Sequence, residues 1–148
     1  EPVSALDVSI RAQIMNLFKD LQDEYNLSYM VIAHNLATVR FMSHSVAIMY
    51  LGELVEHGDA EDIFKHPLHP YTRALISASM LTLPEDMDPD AQPIILSGEM
   101  PSPLNPPPGC RFHTRCTEAQ EICSQEAPEM IKIGKHFVAC HNQKALIR

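Results

Sequence analysis

No stretch of this 148-residue sequence is long and apolar enough to span a bilayer; residues 29–33 and 46–51 are strand-sized. Basic residues are few. Eleven Lys and Arg against nineteen Asp and Glu leave a net charge of −8, which argues against a nucleic-acid partner, because phosphate binding calls for a basic face. The N-terminus has no basic-then-apolar pattern, so nothing suggests export. It also lacks an initiator Met; the opening Glu1-Pro2 reads as a start inside a longer protein. Cysteine is missing until Cys110, and four then fall between Cys110 and Cys140. In a secreted chain these would suggest two disulfides; without an export signal, a metal site is the better reading. What is present, 45% apolar and 20% charged residues, is ordinary globular composition, enough for one domain or two small ones.

Along the chain, Asp7 is placed to cap a helix in which Ile10, Ile14, Leu17, Phe18 and Leu21 recur at helical spacing. Residues 27–33 form a nearly continuous apolar run, as expected of a buried parallel strand. A short helix is expected over 36–42, then two strands, 45–51 and 53–57, as a hairpin around Gly52. Asp59 is expected to cap a helix through Lys65 that Pro67 ends. His69-Pro70-Tyr71 opens another to about Met80, with Pro70 in its first turn. Residues 84–92 are acidic and short of apolar side chains and read as a linker; 94–96 is a candidate strand. Five of the eight residues from 101 to 108 are Pro, which forces an extended path without regular hydrogen bonding. A last strand is expected over 137–140. The fold class expected is α/β, with one region over 1–83 and a small, proline- and cysteine-rich one over 84–148.

Three segments carry a resemblance when taken together. Glu1-Pro2-Val3-Ser4-Ala5-Leu6-Asp7 resembles the end of the Walker B motif running into the D-loop of ABC ATPases. Val31-Ile32-Ala33-His34 is similar to the strand that ends in that family's switch histidine, and residues 48–58 match its following hairpin in order and spacing. Glu1 alone is an exposed terminal acid, His34 alone a structural histidine, and Ser-x-x-Asp an ordinary helix start; their joint order carries the reading. The resemblance implies that Glu1 orients and polarises the attacking water and that His34 senses the γ-phosphate. It implies that Ser4, Ala5, Leu6 and Asp7 lie at the interface of two ATPase subunits closing around ATP and Mg²⁺. Asn35 departs from the Asp common after the switch histidine, which touches a neighbouring contact and not the assignment.

A phosphate-cradling loop would read Gly-x-x-x-x-Gly-Lys-Ser/Thr. Gly134-Lys135 is the sole Gly-Lys pair, flanked at the key positions by Glu129 and His136 instead. Leu96-Ser97-Gly98 looks like the ABC signature, but Glu99 follows and the order is wrong. The chain by itself is therefore expected neither to bind nor to hydrolyse ATP, and its parallel strand to lack neighbours.

Residues 66–75, His-Pro-Leu-His-Pro-Tyr-Thr-Arg-Ala-Leu, closely resemble the opening of the C-terminal extension of oligopeptide/dipeptide importer ATPases, in the peptide/nickel branch. Gly98-x-x-Pro101, the proline run and Gly109-Cys110-x-Phe112-x-x-Arg115-Cys116 continue the match. His66 and His69 read as turn residues beside prolines, and Tyr71 as a packing anchor. The cysteines are spaced Cys110-x5-Cys116-x6-Cys123-x16-Cys140, the full complement for a [4Fe–4S] cluster or a structural Zn²⁺. Structural zinc draws on closer Cys pairs, and the resemblance implies an iron–sulfur cluster, so the cluster is preferred and zinc is the alternative. His113, His136 and His141 flank the set without being needed, and Arg111 and Arg115 are candidate donors to cluster sulfurs.

The resemblance implies the energy-coupling subunit of an ABC importer for oligopeptides, dipeptides or related solutes. It would sit at the cytoplasmic face of the membrane and pair with a second ATPase subunit, identical or not. Transmembrane permeases would be its direct partners and an external substrate-binding protein an indirect one. One rival is a soluble Fe–S or zinc sensor module, which leaves the ordered motor segments to coincidence. The other is an ABC ATPase of repair or translation, which the His-Pro-Tyr segment and the cysteines disfavour.

Overall fold

The computed structural model describes residues 7–80 and 93–142, and the chain divides into two compact units, Glu1–Ser43 and His44–Arg148. In the first, Asp7 stands ahead of helix α1 (Val8–Tyr25) and its carboxylate accepts the Ile10 N–H at 2.9 Å. That satisfies one of the donors the first turn of any helix leaves free. The helix stops at Asn26, whose φ of 53° is a left-handed cap that Asn tolerates. Helix α2 (Leu36–Met42) begins the same way, with the Asn35 side chain accepting the Thr38 N–H at 3.0 Å. Asn35 thus has a local task that its carboxylate counterpart would also fill. Met15 and Met42 form the core of this unit, with Ile14 and Phe18 packed on them. Ile10 and Leu17, expected on the same apolar stripe, stay exposed, because a seven-residue α2 is too short to cover the whole face.

Residues 27–33 do not form the buried parallel strand expected of them. They join no ladder among the described residues, and Met30 and Ile32 are 91% and 79% exposed. A strand is fixed by hydrogen bonds to a neighbour, and an apolar run supplies the face without the neighbour.

The second unit is built on one antiparallel sheet of order β1-β2-β4-β3, comprising β1 (Ser45–Tyr50), β2 (Glu53–Asp59), β3 (Met130–Ile133) and β4 (His136–Ala139). Leu51 and Gly52, with φ of 46° and 82°, make the two-residue turn between β1 and β2, the paired positive φ that matches strand twist in a tight hairpin. β1 alternates strictly, burying Val46, Ile48 and Tyr50. β2 does not. The register slips between Ile48 and Met49, and across that bulge the adjacent Val55 and Glu56 are both buried.

Asp59 ends β2 and caps α3 (Ala60–Lys65), accepting the N–H groups of Glu61 and Asp62, while α3 buries Ile63 and Phe64. Helix α4 (Pro70–Met80) starts with Pro at its first position, where the missing N–H costs nothing. Two short 3-10 turns follow the proline run, His113–Arg115 and Glu121–Ser124. The candidate strand at 94–96 is irregular, with Ile95 83% exposed and no ladder partner among the described residues. The linker at 84–92 and the region boundary near 83 lie outside the described residues. β4 arrives one residue earlier than expected and pairs with β2 through Glu56–Val138 and His57–Phe137. No described helix is long and apolar enough to cross a membrane.

Candidate functional site

Cys110, Cys116, Cys123 and Cys140 sit on four consecutive features of the second unit. Cys110 follows the Gly109 turn, Cys116 ends the first 3-10 turn, Cys123 lies in the second, and Cys140 follows β4. None is in a disulfide. The Cys110 N–H donates to the Cys123 carbonyl at 2.8 Å, which fixes two of these loops together.

At each sulfur the backbone turns back with N–H groups toward it. Phe112 and His113 face Cys110, Glu118 faces Cys116, and Asn142 faces Cys140. The Gln120 N–H reaches the Cys123 sulfur at 3.4 Å. Such donors stabilise thiolate over thiol and belong to the levers that tune metal-bound sulfur. They are opposed by burial, which pushes the thiols of Cys110 and Cys116 up and that of Cys140 to about 11. The charge of Cys123 pushes the same way at Cys110, Cys116 and Cys140, joined by that of Cys110 at Cys116 and by those of Cys110 and Cys116 at Cys140. Ionised thiols so placed would need a positive counter-charge, which a metal ion or an Fe–S cluster would supply when bound. Among the described residues, however, no three His, Cys, Asp or Glu side chains stand close enough to hold a single ion.

Gly109 makes this packing possible. Its φ is +67°, and a Cβ there would lie 2.4 Å from the Cys123 carbonyl oxygen and 2.9 Å from the Ser124 carbonyl carbon. Gly109→Ala is therefore expected to destabilise the second unit by about 1–3 kcal/mol, from left-handed strain and the forced separation of the two loops. A shift in the denaturant midpoint of less than that would show that the loops part freely.

The cysteine segment is anchored to the sheet and to α4. Phe112, 1% exposed, meets the rings of Tyr50, Tyr71 and His69 at 5.2, 5.4 and 5.7 Å. Tyr71 is thus the packing anchor expected of it. Arg111 is not a sulfur donor: it donates to the Leu51 carbonyl and pairs with Glu53 at 2.8 Å, at the β1–β2 turn. Nε of Arg115 is buried without a hydrogen-bond partner. The His113 Nδ1–H donates to the Cys110 carbonyl and the His141 Nε2–H to that of Glu126, each at 2.8 Å.

Two buried polar residues escaped expectation. Glu56 is fully buried, and its carboxylate accepts the N–H groups of Leu68 and His69 at 2.8 Å each and meets the His136 Nδ1 at 3.1 Å. His69, read as a turn residue, is 1% exposed and accepts the Tyr71 N–H on Nδ1 at 3.1 Å, acting as the side-chain cap of α4. A His directly before a Pro at the first helical position is a readable cap signal; the burial of Glu56 has none.

Of the residues assigned to nucleotide chemistry, Glu1, Ser4, Ala5 and Leu6 lie outside the described residues. Asp7 caps α1, and His34 is exposed just before Asn35. The family described as the oligopeptide/dipeptide transporter, C-terminal region, matches residues 55–123, which takes in most of β2, all of α3 and α4, and three of the cysteines. Over that segment the chain is similar to this transporter family. It is 48% identical over 99% of its length to the di/tripeptide transport ATP-binding protein DppF of Pseudomonas aeruginosa. It is 51% identical over 95% to the dipeptide transport ATP-binding protein DppF of Escherichia coli, and 49% over 95% to the oligopeptide transport ATP-binding protein OppF of Salmonella typhimurium. The chain spans about 45%, 41% and 42% of these relatives' lengths.

Proposed function

We propose that this chain is part of the ATP-hydrolysing, energy-coupling subunit of an ABC importer for oligopeptides or dipeptides. The observation that carries the reading is the 48–51% identity, over nearly the whole chain, to ATP-binding proteins of peptide transport. In the whole protein Glu1 would hold the attacking water and His34 would read the γ-phosphate, with Mg²⁺ neutralising the phosphates. Ser4, Ala5, Leu6 and Asp7 would face a second ATPase subunit, and closure would be passed to transmembrane permeases from the cytoplasmic face of the membrane. Peptide is captured by an external binding protein, so the chain does not itself select it.

Cys110, Cys116, Cys123 and Cys140 would hold a [4Fe–4S] cluster. Support comes from the four cysteines at Cys110-x5-Cys116-x6-Cys123-x16-Cys140 and from the backbone N–H groups turned toward their sulfurs. The bound cluster would supply folding free energy to a proline-rich segment that buries little apolar area.

The full-length protein, purified without oxygen, is expected to contain about four irons and four acid-labile sulfides per chain. Reconstituted with its permeases and binding protein, it is expected to hydrolyse ATP faster when peptide is supplied. One zinc and no colour would replace the cluster with zinc, and ATPase activity indifferent to peptide would favour a non-transport ATPase.

A further inference from the structure

For three of the four cysteines, the residue whose backbone N–H faces the sulfur also uses its side chain to reach another of these residues. Glu118, which faces Cys116, accepts the Asn142 Nδ2 on Oε2 at 3.0 Å. Asn142 faces Cys140, and its Oδ1 accepts the Gln120 amide at 3.5 Å. Gln120 faces Cys123. The free oxygen of the same carboxylate, Glu118 Oε1, takes the Arg73 guanidinium from α4.

Glu118 and Arg73 side chains are each about a third exposed, so their ion pair adds little to global stability. The network has another consequence. Cys116 and Cys123 sit at short 3-10 turns and Cys140 just past β4, so no ladder sets the spacing of the three among the described residues. A cluster requires its ligand sulfurs at set separations, and groups behind the ligands ordinarily fix them. Cys110 is already tied by its own N–H to Cys123.

We propose that Glu118 is the positioning residue of the cysteine centre, holding the Cys116, Cys123 and Cys140 loops in register and tying them through Arg73 to α4. The inference rests on the reading of the four cysteines as a cluster site. Its partners are the chain's own side chains, and nothing in the motif spacing of the cysteines selects position 118.

The test uses the full-length protein, prepared without oxygen, and follows iron release to a chelator as loss of visible absorption. Glu118→Ala is expected to release iron about 10- to 100-fold faster than wild type. Glu118→Gln keeps an oxygen for Asn142 and is expected to restore most of the retention. Ile63→Ala, a core truncation in α3, is expected to lower the unfolding midpoint while leaving the release rate near that of wild type. Wild-type release from Glu118→Ala, or equally fast release from Ile63→Ala, would overturn the proposal and leave the cluster reading standing. Absence of iron and sulfide from the wild type would overturn both.

Discussion

Glu56→Ala is expected to destabilise the second unit by about 3–5 kcal/mol, the range seen when one member of a buried charged network is removed. The loss arises from what is left behind. With the carboxylate gone, the Leu68 and His69 N–H groups and the His136 ring face an apolar side chain in a site that water does not reach. These partners come from three places: the loop before α4, the start of that helix, and β4. Cutting one side chain therefore loosens α4 and β4 from β2 together. Glu56→Gln keeps one acceptor oxygen but turns an NH2 toward a donor, and is expected to fall between Ala and wild type. Urea unfolding of the full-length protein, followed by a probe in the second unit, measures both. A loss below about 1 kcal/mol for Glu56→Ala would mean that these donors find other partners easily.

Acid is expected to weaken the same unit through His69, by about 3 kcal/mol between pH 7 and pH 4. Burial, with help from the Arg73 charge, lowers the pKa of this ring from 6.5 to about 4 in the folded chain. Between those values the unfolded chain binds a proton that the folded one refuses. The stabilisation is thus complete above pH 6.5 and declines as the pH falls, levelling off once the folded ring also protonates near pH 4. The chemical reason is visible at Nδ1, which accepts the Tyr71 N–H and has no room for a proton of its own. His69→Gln should be less stable at pH 7 yet lose its dependence on this window. If both proteins weakened in parallel from pH 7 to pH 4, another group would be responsible.

Much of the architecture is written locally. Asp7, Asn35 and Asp59 mark three helix starts, and Pro70 marks the fourth, because a cap needs only the next few residues. The β1–β2 hairpin is equally local, two apolar runs around Gly52. The failures are non-local. Residues 27–33 and 94–96 have the composition of strands, but a strand also needs a partner that composition does not name. β3 is legible only through its turn: Gly134-Lys135 joins Met-Ile-Lys-Ile to His-Phe-Val-Ala, with Gly134 at φ 60°. Glu56 is hidden for a different reason: its inward position depends on a bulge against β1, and alternation alone would turn one of Val55 and Glu56 outward. At the candidate site, cysteine spacing is legible, whereas the N–H groups and the Glu118 network behind it depend on how the loops close.

The strand order β1-β2-β4-β3 also sets a timetable for folding. β1 and β2 are near neighbours in sequence and can zip as soon as residue 59 is made, within the microseconds of a simple hairpin. The other edge of β2 has to wait for Phe137 and Val138, on the far side of the proline run and the cysteine loops. Until then the nascent chain carries an open strand edge, the kind of surface that invites pairing with the wrong chain. Closing so long a loop is slow, because its entropy is lost before the contacts that repay it exist. Anything that gathers residues 110–140 early shortens that exposure, so the cysteine segment bears on the yield of correctly folded protein as well as on its final stability.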